Sequence, residues 1–142
     1  MPIIKKALLV LLFLIFAVLM LPGIIQPPAD TAVIEKAQVK GLADALITAL
    51  MEYEEKVGYF PQGEPAEIMQ ALKAEDEHGK AIFTPDPDSV NDAGEFVDPW
   101  GTPFRIHFDV EKNLPKIQSA GKNRIFEEKG KHFISDDYYS WK

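Results

Sequence analysis

An α+β domain carried behind an N-terminal transmembrane helix is the architecture that this sequence predicts, and three observations predict it. An apolar run occupies Ala7 to Ile25. A long stretch from Ile34 to Val57 places apolar residues at three- and four-residue spacing, the period of an amphipathic helix. Further on, Phe104, Ile106 and Phe108 alternate with Arg105, His107 and Asp109, the period of a strand with one buried face.

The apolar run follows Lys5 and Lys6 directly, and no acidic residue precedes Asp30. At about 1.5 Å per residue it spans roughly 28 Å as a helix, close to the hydrocarbon thickness of a bilayer. The next basic residue is Lys36, so the positive-inside bias keeps the N-terminus in the cytoplasm. Residues 1–29 then read as a basic tip, a single-pass anchor and a Pro-rich joint, and residues 30–142 as an extracytoplasmic domain. A cleaved secretory signal is the alternative, since the same segment fits a basic n-region and a long h-region. The retained anchor is preferred, because Leu21 is followed by Pro22, Gly23, Ile24, Ile25, Gln26, Pro27 and Pro28, with no small-residue cleavage site.

Composition bounds the remainder. A chain of 142 residues with one membrane segment leaves room for a single small domain, which buries roughly two thirds of its unfolded surface. The absence of cysteine excludes disulfides, thiolate catalysis, thiolate metal sites and lipid attachment at a thiol. A net charge of -7 argues against nucleic acid, whose phosphates reward basic patches, and gives no reason to expect anionic-lipid binding outside the membrane.

Pro22 with Gly23 and Pro27 with Pro28 interrupt any helical continuation of the anchor. Asp30 or Thr31 can cap a new helix, whose apolar positions are Ile34, Ala37, Gly41, Leu42, Ala45, Leu46, Ala49, Leu50, Tyr53 and Val57. Gly58 suits a left-handed helix end, and Pro61 prevents a restart. A shorter helix is expected over Pro65 to Ala74, with Ile68, Met69 and Leu72 on one face. From Glu64 to Asp98 acidic residues dominate and Pro85, Pro87 and Gly94 intervene, which reads as an irregular, solvated connection. Asp86 and Asp88 lack the following residues of an EF-hand loop. Asp98-Pro99-Trp100-Gly101 has the preferences of a type I turn, opening the strand that contains Phe104 to Asp109. Asn113-Leu114-Pro115 permits a reversal, and Lys116 to Ser119 can pair antiparallel, with Ile117 on the same apolar face.

No enzymatic constellation is present. His78, His107 and His132 lack paired metal-ligand spacing, and no Gly-x-Ser-x-Gly elbow surrounds Ser89, Ser119, Ser135 or Ser140. His107 reads as the wet side of a strand, Trp100 as an aromatic plug beneath its turn, and Trp141 as a residue tucking the terminus against the domain.

Taken in order, the long helix ending in Tyr53 and Gly58-Tyr59-Phe60-Pro61, then Asp98-Pro99-Trp100-Gly101-Thr102-Pro103-Phe104, then Ser119-Ala120-Gly121-Lys122-Asn123, and finally Asp136-Asp137 before Trp141 resemble the major pseudopilins of bacterial type II secretion systems and their type IV pilin-like relatives. The resemblance implies a non-enzymatic, membrane-inserted structural subunit of the bacterial cytoplasmic (inner) membrane, whose partners are other pilin-like or secretion-system subunits or further copies of itself. It also implies calcium as the one candidate cofactor, held by the Ala120 carbonyl, Asn123, Asp136 and Asp137. Two features depart from the family pattern: Asn123 stands where an aspartate is usual, and the stretch bearing Lys129, Lys131 and His132 is longer than usual. Both lower affinity for a hard cation, so the residues themselves favour a loop pinned by ordinary hydrogen bonds, with Asp136 and Asp137 solvated.

A further departure lies at the N-terminus. Pilin-like precursors carry a glycine before a phenylalanine cut site and a glutamate within the apolar helix, whereas this chain has no glycine before Gly23 and no acidic residue before Asp30. Two functions follow as expectations: a pseudopilin-like subunit or accessory of a secretion or pilus-type envelope assembly, or a stand-alone membrane-tethered binding module that forms no filament.

Overall fold

The long periodic stretch forms one helix, α1, over Thr31–Val57 in the computed structural model, which describes residues 31–109, 111–128 and 136–141. The chain divides into two compact units at Val33 and Ile34, and the second unit holds the core, the turns and the sheet. Among the described residues no helix is long and apolar enough to cross a membrane. The expected anchor and its Pro-rich joint lie outside the described residues.

The buried stripe of α1 is Val39, Ala43, Leu46, Ala49 and Leu50, displaced around the helix from the one the periodicity predicts. Ala37, Gly41 and Ala45 are exposed, and Ile34 and Val57 remain 46% and 42% exposed. Two residues turn a helix by about 200°, so Gly41 and Ala45 lie across the helix from Val39 and Ala43, two buried positions that the expected stripe leaves out. A Cβ added at Gly41 meets nothing within 4 Å. Gly41→Ala is therefore expected to stabilise the domain by about 1 kcal/mol, since glycine costs that much in a helix interior; thermal melting should show a higher midpoint, and an unchanged one would refute open space at this face.

Gly58 ends α1 at φ 92°, its N–H donating to the Glu54 carbonyl at 2.7 Å, as the sequence leads one to expect. The second helix, α2, spans Pro65–Lys73. Proline occupies its first position, and the Glu67 carboxylate accepts the Glu64 N–H at 2.8 Å, satisfying one of the amides a helix start leaves open. Ile68, Met69 and Leu72 face the core.

The acidic connection is more regular than its composition suggests. Asp76, Asn91 and Asp98 each open the same turn, with glycine three residues later at positive φ (Gly79, Gly94, Gly101). Each glycine N–H donates to the carbonyl of the Asp or Asn at 2.9 Å. The Oδ1 of that residue accepts the amides two and four residues on: His78 and Lys80, Ala93 and Glu95, Trp100 and Thr102. An isolated bridge closes each unit, at Glu75 with Ala81, Val90 with Phe96, and Val97 with Pro103. These acidic and amide side chains thus substitute for a missing backbone partner, and Asp86 does the same for the short 3-10 turn Pro87–Ser89. Their chemistry is local turn formation.

The alternating segment forms β1, Arg105–Asp109, paired antiparallel with β2, Leu114–Ser119. Ile106 lies opposite Ile117, placing both on the expected apolar face. A third strand, β3, Tyr138–Tyr139, pairs antiparallel with the end of β2 and gives the order β1-β2-β3. The core draws Leu46 and Leu50 from α1, Met69 and Leu72 from α2, and Phe104 and Ile117 from the sheet side. Phe96 stacks on Phe104 with ring centroids 5.6 Å apart, and Phe60 on Phe108 at 4.9 Å.

Candidate functional site

The four residues named for a cation lie around the end of β2 and the start of β3, and β-pairing is what brings them near one another. Ser119 lies opposite Tyr138, so Asp136 and Asp137, just before β3, come back beside the loop that leaves β2. Ala120 is fully buried and Asn123 exposed. The Asn123 N–H donates to Asp136 Oδ2 at 2.9 Å, while its side-chain oxygen accepts the Ile125 N–H at 2.7 Å. Gly121 adopts φ 69°, and a Cβ there would sit 2.4 Å from the Asp136 carbonyl oxygen. Only glycine permits that approach without strain.

Asp137 is half-buried. Its Oδ2 accepts the Gln118 Nε2 at 2.6 Å and the Glu127 N–H at 2.9 Å. Gln118 Nε2 also donates to the Glu127 carbonyl at 3.1 Å, and the Tyr139 hydroxyl donates to the same oxygen at 2.5 Å. These bonds carry Glu127 into the site, where carboxylate oxygens of Glu127, Asp136 and Asp137 all lie within 4.8 Å of one another. Glu127 Oε2 is buried with no hydrogen-bond donor among the described residues. Sequence reasoning missed Glu127 because nothing in its neighbours marks it; only its backbone bonds to Gln118, Asp137 and Tyr139 place it there. The stretch with Lys129, Lys131 and His132 lies outside the described residues.

Three carboxylates so close repel one another, by about 1 kcal/mol per pair at 4 Å in bulk water and by more where water is partly excluded. A hard divalent cation, which prefers several oxygen ligands, would relieve that repulsion and satisfy the buried Glu127 oxygen. Carboxylate oxygens are the kind of ligand that calcium takes.

Elsewhere on the sheet, the ring of Trp141 is edge-on to His107 and to Tyr139, with centroids 5.9 Å and 5.2 Å away, which seats the C-terminus on the domain as expected. Lys116 Nζ lies 5.8 Å from that ring and 2.6 Å from Asp109 Oδ2. The lysine holds the Asp109 carboxyl below its usual range, chiefly through this hydrogen bond. Trp100 is half-buried against the core. His78 and His107 are exposed.

Helix, turns and three-stranded sheet together define a pseudopilin-like, type IV pilin-like fold. The crystal structure of the major pseudopilin from the type 2 secretion system of enterohaemorrhagic Escherichia coli is similar, with a TM-score of 0.50 over 84% of this chain and 98% of that one, at 18% sequence identity. No family model matches the chain, and no curated protein does.

Proposed function

We propose that this chain is a non-enzymatic structural subunit or accessory of a secretion or pilus-type envelope assembly, held in the bacterial inner membrane by residues 7–25 with its domain on the outer side. The observation that carries the reading is the shared fold with a type 2 secretion pseudopilin over 98% of that protein's chain. The apolar run with its leading lysines supports the anchor. Partners on this reading are other pilin-like subunits. Assembly of the full chain in membrane preparations, lost when Ala7 to Ile25 is deleted, is the expected result; monomers that persist at high membrane density would instead favour a stand-alone tethered binding module. The Pro-rich joint and the absence of an acidic residue from the Ala7 to Ile25 run favour that second reading. Intact-mass measurement of the extracted protein checks the anchor, because loss of the first two dozen or so residues marks a cleaved signal.

Calcium is part of the proposal. Glu127, Asp136 and Asp137 would hold it, and its charge would fix the loop after β2 to the start of β3. A melting midpoint that rises by roughly 5 °C or more in calcium well above its dissociation constant is expected. Asp136→Ala combined with Asp137→Ala should abolish the rise. Wild-type protein that melts identically with and without calcium would end the cation reading.

A further inference from the structure

Asp98 does what Asp76 and Asn91 do, and one thing more. In all three turns a single side-chain oxygen takes the turn amides, and Asn91 shows that an amide side chain serves that purpose. The second oxygen of Asp98 points elsewhere: Oδ2 accepts the Ser119 hydroxyl at 2.7 Å, and Ser119 Oγ accepts the Gly121 N–H at 3.1 Å. Asp98 is 3% exposed and Ser119 0%. A line of bonds therefore runs from the 98–102 turn, through the last residue of β2, to the glycine against which the Asp136 backbone lies.

We propose that Asp98 and Ser119 are positioning residues for the Glu127, Asp136 and Asp137 cluster, locking the turn before β1 and the loop after β2 into one unit. The inference rests on the cluster being the cation site, but its geometry stands without an ion. Proton counting makes asparagine a poor substitute here. Ser119 has one hydroxyl proton, and that proton needs an acceptor. In Asp98→Asn the amide can present its oxygen to Ser119 or to the turn amides, and either choice leaves a buried donor unsatisfied. At exposed Asp76, where only Oδ1 is used, the same substitution has no such consequence.

The test uses the full chain in lipid nanodiscs, comparing wild type with Asp98→Asn, Ser119→Ala and the control Asp76→Asn. Amide exchange is read at Asn123 and Glu127, whose N–H groups donate to Asp136 and Asp137 and not to Asp98 or Ser119. Exchange at both amides should accelerate about tenfold or more in Asp98→Asn and Ser119→Ala, with α1 protection kept and Asp76→Asn unchanged. Calcium titration should show affinity about tenfold weaker in the same two variants. Should Asp98→Asn not fold, Ser119→Ala decides alone. Acceleration confined to Trp100, Thr102 and Gly121, the direct partners, would overturn the proposal, as would unchanged exchange and calcium affinity. Wild type that takes up no calcium overturns the cation reading by itself. The exchange result then decides the positioning role separately.

Discussion

Phe104→Ala is expected to destabilise the domain by about 3–5 kcal/mol, a large fraction of the roughly 5–15 kcal/mol that holds an ordinary domain together. Phe104 is 1% exposed. Its ring stacks on Phe96, which meets Phe83 edge-on at 5.3 Å, and its N–H donates to the Phe96 carbonyl at 3.1 Å. The side chain therefore joins the third glycine turn to the start of β1 and to the core residues of both helices. Truncation leaves a void that a stacked aromatic pair cannot close by small shifts, so the cavity adds to the lost transfer energy. Urea unfolding measures the loss, and a change under about 1 kcal/mol would show that this cluster does not organise the core.

Gly121→Ala should act by a different route and nearly as strongly. Alanine at φ 69° carries a left-handed penalty of about 1–2 kcal/mol. The new Cβ would also lie 2.4 Å from the Asp136 carbonyl oxygen and 2.7 Å from its carbon, backbone atoms that no rotamer change can move aside. The segment before β3 must retreat. With it go the Asn123–Asp136 bond, the Asp137 bonds to Gln118 and Glu127, the pairing of Ser119 with Tyr138, and the Ser140 N–H bond to the Ile117 carbonyl. A total loss of about 3 kcal/mol is expected, with fast amide exchange at Tyr138 and Tyr139, altered Trp141 fluorescence and no calcium response. Tail amides that stay as protected as in wild type would contradict the close approach. Gly41→Ala is the counterpart, where the same added methyl meets nothing.

Local pattern carried much of this fold. The spacing from Ile34 to Val57 was legible as a helix because 3.6-residue periodicity needs no partner to be recognised, and Gly58 and Pro61 marked its end through backbone chemistry alone. Alternation from Phe104 to Asp109 identified a strand for the same reason. One glycine turn was legible at Asp98-Pro99-Trp100-Gly101. Its two siblings, Asp76 to Gly79 and Asn91 to Gly94, share the Asp-or-Asn start and the glycine three residues later, but lacked the proline that drew notice to the first.

The side of α1 that meets the core was decided only by packing, because both the Val39–Ala43–Leu46 stripe and the Ala37–Gly41–Ala45 stripe satisfy the spacing. Asp136 and Asp137 could be named from sequence as possible ligands. Glu127 could not, since it enters their company through Gln118, Tyr139 and the return of the chain to β2. The second bond of Asp98 was equally hidden: no local rule links an aspartate to a serine that reaches it only after β1 and β2 have formed. By itself, then, this sequence determined which segments coil, extend and turn, because those preferences act between residues a few positions apart. Tertiary structure alone decided which carboxylates converge and which carboxylate is buried against Ser119, because sheet pairing sets those distances between residues far apart along the chain.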